Sequence, residues 1–130
     1  MLVDTKTAKY HVGEKWRFRS RPGEDTATLT ILKVESDEKR GVTIVHITVE
    51  GVRIKAAHAP SGFSETVGHM PFDEAAIAKS VTKLVAKDVP LPAFEDGYQQ
   101  WRTAFDSGKG GIFTITVGEG IAFLEKAMEP

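Results

Sequence analysis

The feature that most constrains this chain is a change of hydrophobic period at His69-Met70-Pro71-Phe72-Asp73. Before it, apolar residues mostly alternate, which covers one face of a strand. After it they recur at three and four residues, which covers one stripe of a helix, until a final strand-like run at Ile112–Val117. Each period buries its apolar atoms only in its own kind of element, so their order sets a fold class.

Along the chain, Trp16 and Phe18 alternate with Lys15, Arg17 and Arg19, the pattern of a half-buried strand. Arg21-Pro22-Gly23 predicts a turn, and Thr26–Glu35 a second strand. Within that strand the apolar phase slips by one between Ile31 and Leu32, which predicts a bulge or a strand covered on both faces. Val42–Val49 reads as a third strand, Glu50-Gly51 as a two-residue hairpin connection, and Val52–Ala56 as the returning fourth strand. Ala59–Pro71 reads as a long, Gly- and Pro-marked connection of the length that often carries function.

Asp73 has the chemistry of an N-cap, with Phe72 and Ile77 at the positions of a hydrophobic staple. Ile77, Val81, Leu84 and Val85 then predict a helical stripe down to Lys87, closed by Val89-Pro90-Leu91-Pro92. A second helix from about Ala93 to Asp106 carries Phe94, Tyr98, Trp101 and Phe105 on one face. Ile112–Val117 predicts a fifth strand. Thr116 and Glu119 have the spacing of a capping box before a short helix with Ile121, Leu124 and Met128. The expected architecture is α+β. A curved antiparallel sheet of about five strands, a four-strand N-terminal meander plus one late strand, has two or three helices packed on one face. Trp16 and Trp101 are expected to meet across that sheet–helix interface.

At 130 residues the chain fits a single domain, 1–130, with 1–9 as a loose or edge-packed N-terminal segment. Lys and Arg number 17 and Asp and Glu 18, so no field of one sign dominates and a dedicated nucleic-acid binder is not expected. With no cysteine, disulfides, zinc–thiolate sites and thiol catalysis are excluded. No run approaches the roughly 18 apolar residues of a membrane span, so the expectation is a cytoplasmic protein without membrane association.

Candidate chemistry is sparse. His58 and His69 bracket the long connection and are the candidate metal ligands, but no His-x-x-x-His spacing accompanies them and no metal or other cofactor is expected. Ser64 and Glu65 share that segment with His69, the nearest approach to a nucleophile–base set, without a Gly-x-Ser-x-Gly elbow. Arg17, Arg19 and Arg21 share one strand face, with acidic residues near enough to pair with them. Trp16, Phe18, Phe63, Tyr98 and Trp101 are the candidate lining of an apolar ligand cleft between sheet and helix. The leading expectation is therefore a small non-enzymatic module that binds an apolar ligand or a protein partner, with a homodimer as a variant. The alternative is a hydrolase using His69 with Ser64, Glu65 or His58.

Three runs, Gly13–Glu24, His69-Met70-Pro71-Phe72 and Gly97–Phe105, resemble a small set of uncharacterised bacterial soluble proteins from Tyr10 onward. The resemblance implies a self-contained single-domain protein and assigns no residue a role.

Overall fold

The computed structural model describes residues 2–5 and 9–127. Among the described residues there are six strands and three helices. The strands are β1 (Leu2–Asp4), β2 (Lys15–Phe18), β3 (Thr28–Asp37), β4 (Val42–Lys55), β5 (Phe63–Asp73) and β6 (Val81–Ala86). The helices are α1 (Glu74–Ser80), α2 (Glu95–Asp106) and α3 (Val117–Ala127). The strands form one curved antiparallel sheet in the order β5-β4-β3-β2-β6, and β1 pairs with the C-terminal half of β3. The α+β class and the curved antiparallel sheet are as expected.

Alternation along β4 divides the molecule. Val45, Ile47 and Val49 join Leu29, Ile31 and Val34 of β3 in the main core, which α1 and α3 cover through Ala76, Ile77, Val117 and Ile121. Two helices thus pack on one face. The opposite face of β4 carries Ile44 and His46, and α2 lies there, with Phe105 and Trp101 packed toward Ile44. Trp16 and Phe18 face the main core, so the two indoles lie on opposite sides of the sheet and do not meet. Strand alternation explains this correction: Trp16 and Phe18 share the face of the α1–α3 core, while Trp101 covers the residues that alternate away from it.

Four segments differ from expectation. β4 runs through Glu50-Gly51 as one 14-residue strand. Gly51 has φ 79°, and a Cβ there would stand 3.0 Å from Ala27 Cα, so it marks an irregular close approach within the strand. Beyond it β3 has ended, and carboxylates of Glu24 and Glu125 accept the Arg53 and Lys55 amides at 2.7 and 2.8 Å in place of a strand. Secondly, the Ala59–Pro71 connection is mostly β5, which returns beside β4 after a tight turn closed by the Ala56 amide on Gly62 O. Thirdly, α1 stops at Ser80 and the chain becomes β6 on the free edge of β2. Val81, Thr82 and Val85 are β-branched, and the open edge of β2 satisfies their backbone better than solvent would. Finally, Ile112–Val117 makes only a single parallel bridge, Phe113 to Phe72. Phe113 packs on Phe72 with ring centroids 5.1 Å apart, so the segment is a packed crossing rather than a strand.

The starts of α1 and α3 follow their caps. Asp73 accepts the Ala75 amide at 3.0 Å, and Phe72 and Ile77 are fully buried. Thr116 and Glu119 exchange backbone–side-chain hydrogen bonds at 3.0 and 3.3 Å and open α3. The expected place of Met128 lies outside the described residues.

Candidate functional site

Four elements bring polar groups together under α2. Regular alternation from Leu29 and Ile31 would send Lys33 and Glu35 into the apolar core. Instead Ile31 pairs with Ile47 and Lys33 with His46, which leaves Leu32 as an extra residue. That bulge is the phase slip visible in the sequence, and it turns Lys33 and Glu35 onto the face of His46. A second irregularity lies on the other side of β4. Ile47 pairs with Met70 and Val49 with Val67, so Thr48 opposes both Gly68 and His69. The regular pairs before it, His46 with Pro71 and Ile47 with Met70, already make His69 the diagonal neighbour of His46. Tyr98 and Trp101, three apart on α2, close over both rings.

The result is a chain of hydrogen bonds from the interior to the surface. Glu35 and His46 are 1% and 0% exposed. His46 Nε2 lies 2.8 Å from Glu35 Oε1, and His46 Nδ1 lies 2.8 Å from His69 Nε2. The two imidazoles stack with centroids 5.1 Å apart. Tyr98 Oη donates to the other carboxylate oxygen, Glu35 Oε2, at 2.7 Å, and Arg102 donates to Tyr98 Oη at 3.0 Å. Arg102 also stands 3.8 Å from Glu35, and the Lys33 ammonium lies 5.3 Å from the Tyr98 ring centroid. Trp101 stacks edge-on against His46, and its Nε1 donates to Gly111 O at 2.8 Å.

Charge states follow from the surroundings. Burial by itself would raise the Glu35 carboxyl, but hydrogen bonds from His46 and Tyr98 outweigh it and hold the group below the usual carboxylate range. Burial pushes His46 below the ordinary imidazole value against the opposing pull of Glu35. Burial, and then the neighbouring His46, push His69 down to about 4. Burial, and then the bond to Glu35, push the Tyr98 phenol up to about 12. At neutral pH the set is one carboxylate, two neutral imidazoles and a neutral phenol.

That fixes the tautomers. An ionised carboxylate only accepts, so His46 Nε2 carries the proton and His46 Nδ1 is a lone pair. His69 Nε2 must then donate to it, which leaves His69 Nδ1 as a lone pair. This atom makes no hydrogen bond to any described residue, and His69 is only partly buried, so it opens to solvent. The arrangement presents an uncharged acceptor at the surface, oriented by a second imidazole and polarised by a buried anion.

Of the sequence candidates, only His69, Tyr98 and Trp101 are brought together here. Ser64 Oγ donates to Thr66 O at 3.0 Å, and Glu65 is exposed. At ~3.3 Å per strand residue these lie roughly 13–16 Å along β5 from His69. His58 is exposed before β5 begins, about 20 Å or more from His69 on the same reckoning. Among the described residues no three His, Cys, Asp or Glu converge where a metal ion could be held. Trp16 stacks edge-on with Tyr10 in the other layer, Phe18 is core, and Phe63 lies under the Arg53 guanidinium at 4.1 Å. Sequence reasoning left out Glu35, Lys33 and Arg102, and left His46 as a scattered histidine. The signal lay in polar residues inside two strongly apolar strands, next to the phase slip.

Among the described residues no helix is long and apolar enough to cross a membrane. Comparison with protein-family models, curated proteins and solved structures finds no match for this chain.

Proposed function

We propose that the protein is a small binding module whose recognition centre is His69 Nδ1 at the seam of β5 and α2. The observation that carries this is the Glu35–His46–His69 chain, ordered so that its outer end is an accepting lone pair. A fully buried carboxylate–imidazole pair contributes little net stability compared with an apolar replacement, so packing alone does not account for it. The fitting ligand offers a hydrogen-bond donor to Nδ1, with apolar surface to lie on the partly exposed Trp101. Thermal-shift screening of a metabolite panel tests it, since a ligand raises the melting temperature by mass action. A compound that stabilises the native protein and fails to stabilise H69Q supports the reading. Equal stabilisation of both proteins by every active compound would overturn it.

The same order of bonds favours a second reading, general-base chemistry at the same atom. His69 would take a proton from water or a substrate hydroxyl while Glu35 and His46 steady the resulting imidazolium. The nucleophile would then be water, because Ser64 and Glu65 lie too far along β5. Turnover of an activated ester by the native protein and not by H69Q would select this reading over simple binding.

A further inference from the structure

On the same sheet face, beside the α2-covered cluster, a groove of about 570 Å³ runs between β3–β5 and the segment Val89–Ala93. Its volume falls within the usual range for small-molecule sites. The wall is preformed: Pro90 and Pro92 fix two backbone dihedrals, and the Val89 amide is anchored on Gly13 O at 3.0 Å. Leu91 offers apolar surface to the groove while remaining 38% exposed.

The floor is polar and follows from strand register. Lys15 pairs with Thr30, and Thr30 with Thr48, so the three form one row across β2, β3 and β4. Thr48 Oγ1 is occupied, donating to Val67 O at 3.0 Å. Thr30 is not. Only 5% of it is exposed, its hydroxyl bonds no described residue, and it lines the groove. The hydroxyl opens into the groove, where a guest can accept from or donate to it without displacing a bond within the protein. Next to it the Lys15 ammonium and the Glu50 carboxylate stand 2.6 Å apart at the rim, both partly exposed.

We infer that this groove binds a small zwitterion, an α-amino acid with an apolar side chain. A guest with adjacent negative and positive groups complements adjacent Lys15 and Glu50, whereas a simple anion or cation meets one attraction and one repulsion. The guest carboxylate takes Lys15 and the Thr30 hydroxyl, its ammonium takes Glu50, and its side chain lies along Leu91. The site is separate from His69, whose neighbour Gly68 borders the groove, and does not depend on the role proposed for that histidine.

Amide-resonance titration with L-leucine, N-acetyl-L-leucine and L-leucinamide tests the assignment. Saturable shifts at Thr30, Thr48 and Leu91 are expected with leucine. The two derivatives, each lacking one charge, and the T30V variant are each expected to bind about tenfold more weakly, as loss of one buried polar contact implies. Should T30V fail to fold, K15M at the exposed rim carries the same comparison. Absence of saturable shifts with leucine, or derivatives and variants that bind as the parent pair does, would overturn the assignment.

Discussion

Glu35 keeps its charge inside the protein because two donors, His46 Nε2 and Tyr98 Oη, address separate oxygens of one carboxylate. Removing one of them tests how much the chain depends on the arrangement. Tyr98→Phe deletes only the hydroxyl, and a hydrogen bond to a charged group is worth about 1.5–3 kcal/mol, so urea unfolding should show a loss of that size. An unchanged midpoint would mean that water replaces the phenol at no cost. Proton linkage gives a second consequence. Folded His69 gains its proton only near about 4, whereas an ordinary histidine in the unfolded chain does so near 6.5. Between those values the unfolded state binds more protons, so stability is fully present above 6.5 and is lost as pH falls toward 4. Allowing for the partial exposure of the ring, the loss should be about 2 kcal/mol. Glu35, whose folded value is also depressed, adds a loss in the same direction below its ordinary 4.5. His46, also held below its ordinary value, contributes in the same direction, so urea midpoints taken through this window should fall more steeply for the native protein than for H69Q, which keeps the His46 and Glu35 contributions.

Two bulges border the site, and the first of them turns Glu35 onto the face of His46. The first is the extra residue Leu32 in β3. Deleting Leu32 closes the bulge and makes Ile31 and Lys33 consecutive in the ladder, so Lys33 and Glu35 keep the face of His46. The expected outcome is cooperative unfolding by calorimetry at reduced stability, from loss of the buried Leu32 side chain, and a deletion variant that no longer unfolds cooperatively would refute the role given to the bulge. This element shows how far sequence reasoning reaches. A phase slip of one residue was legible between Ile31 and Leu32, and so were the caps at Asp73 and Thr116, because each is a local pattern with a local physical cause. The β6 assignment was not. Ile77, Val81, Leu84 and Val85 repeat at helical spacing, and only the unpaired edge of β2, distant in sequence, draws Val81–Ala86 into a strand. The second bulge, at Gly68-His69, was equally hidden, since a glycine before a histidine in a polar stretch reads first as loop.

At the scale of the molecule the sheet is covered unequally. One face is sealed by α1 and α3 over an apolar core, and the other carries α2, a histidine chain and an open groove. Class and sheet type were readable because period alone decides them. The division of the helices between two faces was not, because the aromatic stripe of α2 fits either face equally well. What sets His46 and Glu35 apart from the core is Tyr98, more than fifty positions away in sequence, which closes over them. The proposed recognition centre is a neutral, ordered relay whose outer nitrogen is a free acceptor. Long-range proton–nitrogen correlation spectra of the imidazoles, followed with pH, read that state directly. At neutral pH both His46 and His69 should carry their proton on Nε2, and His69 Nδ1 should take up a proton only near about 4. A His69 that titrates near 6.5, or that carries its neutral proton on Nδ1, would contradict it.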